Sequence, residues 1–236
     1  MIKAVFFDFY NTLASHYPPR EEIYVSTCHE LGIEVEAKAL FNSLPAADMY
    51  YRDENSRSPI DNRSEEEKID FYVQYASRIL AGAGVQLSHD AALQLLAKLR
   101  QFDWKMKAYD DTLPALEELR RRGLILGLIS NVAQDMESTY EEMGLNSYLA
   151  FKVTSSEVGC DKPQPEIFQA ALKKAEVKPE EAIHVGDQYD LDIVGARGVG
   201  MKGVLVDRND FFRDITDCPR IHSLTEIVQY VQSSQD

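Results

Sequence analysis

The chain has no apolar run approaching the roughly 18 residues that a membrane-spanning helix requires, so nothing in it asks for a bilayer. It is poor in cysteine, with only Cys28, Cys160 and Cys218 and no CxxC pair among them. An odd count without paired spacing speaks against a disulfide framework and fits idle thiols in a reducing compartment, so a cytoplasmic location is expected. It is also short of positive charge. Lys and Arg total 25 against 39 Asp and Glu, a net charge of 25 − 39 = −14. Such a surface repels phosphate backbones and anionic lipid, so neither nucleic acid nor membrane is the expected partner. An anionic ligand would need local positive charge or a metal to be drawn in. The opening Met1-Ile-Lys-Ala-Val-Phe-Phe-Asp8 reads as a strand running into an acid rather than as a signal peptide. Without a secretory signal, the sequon Asn62-Arg63-Ser64 is a chance match. Internal repeats and low-complexity segments are absent as well.

What is present suffices for a real core. The 236 residues are 44% apolar, enough for one large domain or for a core plus a smaller lobe. Texture divides the chain. Ile2 to Phe7 is a short apolar run rich in β-formers that ends at Asp8 and the turn-prone Asn11-Thr12, the pattern of a buried parallel strand. From about Ser15 to Trp104 the pattern is helical, with helices at Glu21 to Leu31 and Ala37 to Leu44. A third opens at the capping box Ser64-Glu-Glu-Glu67 and stops at Gly82 and Gly84; a fourth runs from His89 to Phe102 under Ser88.

From Tyr109 onward helix and strand alternate. Strands are expected at Leu124 to Ile129, Ala150 to Val153, Ala182 to Val185 and Gly203 to Val206. Helices are expected at Thr112 to Arg121, Asp135 to Met143, Glu166 to Ala175, Asp190 to Arg197 and Leu224 to Val231. The run Arg220 to Gln232 reads as a closing strand or loop and helix without chemistry. Such alternation implies an α/β fold, a Rossmann-like parallel sheet covered on both faces. Ligands bind such sheets at the carboxyl ends of the strands.

Four strand-end regions carry chemistry: Asp8-Phe9-Tyr10-Asn11-Thr12, Ser130-Asn131, Cys160-Asp161-Lys162-Pro163, and Gly186-Asp187-Gln-Tyr-Asp190-Leu-Asp192. Each alone has a bland reading: a turn, a cap, a solvated lysine. Cys160 is a passive neighbour of its motif, and His184, on a buried strand, is a core residue rather than a base. Jointly the four regions supply a carboxylate, a hydroxyl, an ammonium and further carboxylates to one crevice. Asp8, Asp187 and Asp192 crowded against a single Lys162 cannot all stay ionised without compensation. A hard divalent cation, Mg²⁺, resolves the conflict with oxygen ligands and would draw in an anion despite the net charge.

The order Asp-x-x-x-Thr, Ser-Asn, Lys-Pro, Gly-Asp-x-x-x-x-Asp resembles the haloacid dehalogenase-like hydrolases, and the match spans nearly the whole chain. The resemblance implies an α/β catalytic core of residues 1–14 and 105–236, with residues 15–104 inserted as a small helical cap. It implies a hydrolase, acting on a small phosphorylated metabolite through an aspartyl-phosphate formed on Asp8. Ser130 would bond a phosphate oxygen. Lys162 would hold Asp8 and offset developing charge. Asp8, Asp187, Asp192 and the backbone carbonyl of Tyr10 would bind Mg²⁺, and Thr12 and Asn131 would support the phosphate site. The chain would act as a monomer or homodimer. In the cap, Arg20, Tyr50, Tyr51, Arg52, Arg57 and Arg63 are read as surface or packing residues.

One position departs from the pattern. Phosphatases of this superfamily usually carry a second Asp two residues after the nucleophile, to protonate the leaving alkoxide. Here that position is Tyr10, and a phenol with an ordinary value near 10 is a poor base at neutral pH. Its loss is expected to cost about 10²–10⁴-fold on poor leaving groups. The 2-haloacid dehalogenases share a Tyr there and work without metal, but their last motif lacks the Gly-Asp pair kept at Gly186-Asp187. Metal-independent dehalogenation and a non-catalytic binding role on the same scaffold remain as alternatives.

Overall fold

In a computed structural model of the protein, residues 1–132 and 136–231 are described. Contacts divide the chain into two compact units, residues 1–15 with 106–236, and residues 16–105.

The first unit is an α/β layer structure. Its strands are β1 (Ala4–Phe7), β4 (Ile125–Ser130), β5 (Phe151–Thr154), β6 (Ala182–Gly186), β7 (Lys202–Val206) and β8 (Arg220–Ile221). They form one sheet in the order β5-β4-β1-β6-β7-β8, with every neighbouring pair parallel. β1 is central and buried throughout, so it reads as a continuous apolar run with its alternate side chains feeding different cores. Val5 and Phe7 join Leu116, Leu119, Leu128, Val185 and Val204 in one cluster. Ala4 and Phe6 join Ile129, Val153, Ile167, Phe168 and Leu172 in another. Burying each of these large side chains stabilises the fold by about 1.5–3 kcal/mol.

Helices cover the sheet where apolar residues recur at helical spacing. α5 (Thr112–Arg121) buries Thr112, Ala115, Leu116 and Leu119. α8 (Pro165–Ala175) buries Ile167, Phe168, Ala171, Leu172 and Ala175, with proline in its first turn, where the missing N–H costs nothing. α6 (Glu137–Glu142), α7 (Ser155–Val158) and α9 (Gly195–Gly198) are short. Of the helix expected from Asp135, the first residue lies outside the described residues.

The second unit holds α1 (Arg20–Glu30), α2 (Ala37–Arg57), α3 (Glu65–Gly82) and α4 (His89–Leu99). Cys28, Leu40, Ile79, Leu80 and Leu95 centre its own core. The Ser64–Glu67 capping box is formed in both directions, and Ser88 caps α4. Gly82 closes α3, and Gly84 follows at φ +87°, a left-handed conformation cheap only for glycine.

Four readings need correction. α2 does not stop at Leu44 but continues through Pro45 to Arg57, burying Ala47 beyond it; packing on α3 outweighs the proline's local penalty. The stretch read as helical from Ser15 begins in a strand, β2 (Ala14–Tyr17), paired with β3 (Lys105–Ala108), a non-local ladder invisible to local periodicity. The segment from Asp190 to Arg197 is not one α-helix: Tyr189–Val194 is a π-helical turn and α9 follows. The segment after Leu224 is a 3₁₀-helix, Leu224–Tyr230. No helix among the described residues is long and apolar enough to cross a membrane.

Candidate active site

The central position of β1 decides where the chemistry gathers. Chain order reverses on its two sides, with β4 and β6 flanking it, which opens a crevice at the strands' carboxyl ends. Register makes those ends level: Phe7 faces Leu128 on one side and Val185 on the other. Asp8 therefore emerges beside Ser130 and Gly186-Asp187, and its N–H donates to Val185 O at 2.8 Å.

The loop after Asp8 is held tightly. Leu13 N and Ala14 N both donate to Phe9 O, and Asn11 N to Ala14 O at 2.7 Å. Asn11 sits at φ +58°, a left-handed conformation asparagine tolerates better than most residues. From there its side chain hydrogen-bonds the Asp187 carboxylate. Arg208, just beyond β7, forks onto Asp111 at 2.8 and 2.9 Å and donates to Thr12 O at 2.9 Å, tying the loop to the residue before α5. Tyr10 is half-buried in this loop, bridged to Ala14.

Lys162 is the hub. It is 4% exposed, and its Nζ donates to Asp8 Oδ1 at 2.6 Å and to Asp192 Oδ1 at 2.7 Å. Asn131 grips its backbone from both sides. Asp192 is placed by the π-helical turn and accepts three times: Oδ1 from Lys162 and from His184 Nε2 at 2.9 Å, Oδ2 from Gln188 N at 3.0 Å. Gly186 makes room for that carboxylate; a Cβ there would lie 2.2 Å from Asp192 Cγ.

The electrostatics follow from burial and from this sharing. Burial pushes the Asp8 carboxyl above its ordinary range, against the pull of Lys162 and with the charge of Asp192 adding to the rise. Burial and then the charges of Asp8 and Asp192 push Asp187 well above that range, with Lys162 and the Asn11 hydrogen bond opposing. Asp192 is also penalised by burial, but Lys162 and the His184 hydrogen bond overcome it and hold it below the usual value. Lys162 pays for burial too, yet Asp192 and Asp8 hold its ammonium well above the ordinary lysine value.

Of the expected site residues, Asp8, Lys162, Asp187 and Asp192 meet directly. Ligand oxygens of Asp8, Asp187 and Asp192 lie within 4.8 Å of one another, a grouping able to hold a cation. Ser130 is buried at the end of β4, and Thr12 is fully buried with its hydroxyl unpaired. Asp190 is exposed. Two residues of the site were not anticipated as such, Asn11 and His184. A left-handed asparagine after a strand is the only sequence signal for the first; for the second there is none, since its partner lies eight residues away across a turn.

The parallel sheet thus brings Asp8 and Asp187 to the ends of adjacent strands, with Lys162 reaching Asp8 from the loop between α7 and α8. A family model described as haloacid dehalogenase-like hydrolase matches residues 2–200, and the chain belongs to that family. It is 32% identical over 208 residues to human "Haloacid dehalogenase-like hydrolase domain-containing protein 3", covering 87% of this chain and 82% of that one. It is 38% identical over 107 residues to "Glyceraldehyde 3-phosphate phosphatase" of Methanopyrus kandleri, a match covering 45% of this chain and 46% of that enzyme. The solved structure of the L-2-haloacid dehalogenase RSc1362 shares the fold, with a TM-score of 0.66 at 21% identity over 98% of this chain and 99% of that one.

Proposed function

We propose that this hydrolase is a Mg²⁺-dependent phosphatase of a small phosphorylated metabolite, working through an aspartyl-phosphate on Asp8. The observation that carries the reading is a pair of orphaned oxygens. Asp8 Oδ2 and Asp187 Oδ1 are sealed from solvent with no hydrogen-bond partner. Three neighbouring carboxylates answer to one ammonium, which leaves the site over-supplied with negative charge. An all-oxygen donor set of this kind suits Mg²⁺. Asp8 and Asp187 are the ligands this reading assigns. Asp192, already accepting three hydrogen bonds, fits the role of an anchor for Lys162 better than that of a direct ligand. Bound there, Mg²⁺ would neutralise the crevice and present positive charge to a phosphate dianion.

The protein's own groups do the rest. Asp8, its Oδ1 held by Lys162, attacks phosphorus; the ester P–O bond breaks and the alkoxide leaves. Water then hydrolyses the acyl phosphate, returning Asp8 and releasing inorganic phosphate. Lys162 offsets negative charge as it develops on the transferring group, and Ser130 donates to a phosphate oxygen. Tyr10 stands where the family's phosphatases carry the acid that protonates the leaving group, so turnover favours substrates with good leaving groups. The unit of residues 16–105 is assigned as the cap. A cytoplasmic setting, with free thiols at Cys28, Cys160 and Cys218, completes the reading.

The test is hydrolysis of p-nitrophenyl phosphate with Mg²⁺ and with EDTA. Turnover that EDTA abolishes supports the proposal. Tyr10 is the one observation favouring metal-free 2-haloacid dehalogenation. Release of halide from 2-chloropropionate in EDTA, with no phosphatase activity, would replace the proposal with that reading.

A further inference from the structure

We infer that His184 is a positioning residue of this site: it holds Asp192 through Nε2, and through Asp192 it fixes Lys162 against Asp8. The inference rests on the functional reading above only for the consequence, not for the contact.

His184 lies in the middle of β6, level with Phe6 of β1 and Gly203 of β7, and is completely buried. The edge of Phe168 packs on its ring at 5.3 Å between centroids and 85° between planes. Every neighbour of that kind would accept Leu or Val at the same place. An imidazole there is costly, because its Nδ1 is buried with no partner. Among the described residues, the ring's polar contact is Nε2 to Asp192 Oδ1 at 2.9 Å. Asp192 is an acceptor, so Nε2 carries the ring proton. A proton on Nδ1 would be an orphaned buried donor, the more expensive arrangement.

What that contact achieves is geometric. Asp192 sits on a π-helical turn, a local irregularity common at functional sites. Its Oδ2 is fixed by Gln188 N, and His184 fixes the other oxygen. The carboxylate plane is thereby set from two sides before Lys162 arrives. Lys162 Nζ is then shared between Asp192 Oδ1 at 2.7 Å and Asp8 Oδ1 at 2.6 Å. Remove the imidazole and Asp192 Oδ1 keeps only the ammonium of Lys162, which Asp8 also pulls, so the carboxylate can turn about its bond from Gln188 N. The ammonium follows it, and Asp8 loses its fixed orientation. Gly186 and Gly195 keep the cluster dense. A Cβ at Gly195 would lie 2.7 Å from the Phe168 ring that backs His184.

The experiment compares His184→Leu, which removes the donor, with His184→Gln, whose amide can reach the same carboxylate. Losing an outer-shell partner of this kind typically costs about 10–100-fold in activity. His184→Leu is expected to lose that much kcat on p-nitrophenyl phosphate with KM little changed, and His184→Gln to recover most of it. Asp192→Asn combined with His184→Leu should cost little more than Asp192→Asn alone. A second measurement is independent of turnover: the side-chain ¹⁵N NMR signal of the buried Lys162 ammonium. It should shift in His184→Leu and return towards wild type in His184→Gln. An unmoved Lys162 signal, or equal kcat losses for Leu and Gln, would overturn the inference. If wild-type protein turns over no phosphate ester, the functional reading fails while the NMR comparison still decides the positioning role. If His184→Leu does not fold, the His184 ring signals in Asp192→Asn decide instead; they must move if the contact exists.

Discussion

Asn131 and Lys162, 31 residues apart, are bonded in both directions: Asn131 Nδ2 donates to Lys162 O at 3.1 Å and Asn131 Oδ1 accepts Lys162 N–H at 2.7 Å. A side chain from the end of β4 thus stands in for a backbone partner and fixes the loop that carries the buried Lys162 ammonium. Asn131→Ala removes both bonds at a largely exposed position, with an expected stability loss of about 1 kcal/mol. Lys162 would lose its placement, so kcat should fall further than stability does. Asn131→Asp keeps only the acceptor and should fall between the two. Chemical denaturation and steady-state kinetics on the same preparations separate the effects.

Asp8→Asn should abolish phosphate ester turnover while leaving the fold intact. It removes the attacking oxygen and one of the crowded negative charges in a single step. Near-normal activity in this variant, measured on p-nitrophenyl phosphate, would reject Asp8 as nucleophile.

Stability should depend on pH through Asp187. Its folded value lies well above the ordinary 3.8 because of burial and the nearby charges of Asp8 and Asp192. For an acid raised in this way, the stabilising contribution is complete below the unfolded value. It is lost as pH rises through the folded value. Metal-free protein should therefore lose melting temperature through this group between acidic and neutral pH. Asp187→Asn, which cannot ionise, should melt higher than wild type at neutral pH without metal. Mg²⁺ should stabilise wild type by about 2.7 kcal/mol at a hundredfold excess over Kd. It should stabilise Asp187→Asn much less. Melting curves at pH 5 and pH 8, with Mg²⁺ or EDTA, test all of these, and a Mg²⁺ gain as large in the variant would remove Asp187 from the ligand set.

Tyr10→Asp should raise kcat on alkyl phosphates, whose leaving groups need a proton, by up to the roughly 10²–10⁴-fold attributed to general acids. The gain on p-nitrophenyl phosphate should be small. No gain on either substrate would mean that another group already supplies the proton.

The sequence by itself determined the sheet and most of its helices, because those signals are local. A buried parallel strand shows as a continuous apolar run, as at Ala4–Phe7. A covering helix shows as apolar residues at i, i+3, i+4 and i+7, as at Thr112–Leu119. The sequence also located Asp8, Ser130, Lys162 and Asp187, since each lies at or close beyond the end of such an element. The tertiary structure decided what those residues share. Asp192 was legible as a carboxylate, but whether it faces a cation or anchors a lysine depends on donors at His184, Gln188 and Lys162. His184 was legible as a core residue, and it is one; its bond to Asp192 exists only because a π-helical turn swings that carboxylate back over Gly186. The path of α2 through Pro45 and the pairing of Ala14–Tyr17 with Lys105–Ala108 were likewise settled by packing and by non-local hydrogen bonds. Local periodicity records which face of an element is buried. It does not record which polar atoms, brought from distant parts of the chain, are left to satisfy one another once water is gone.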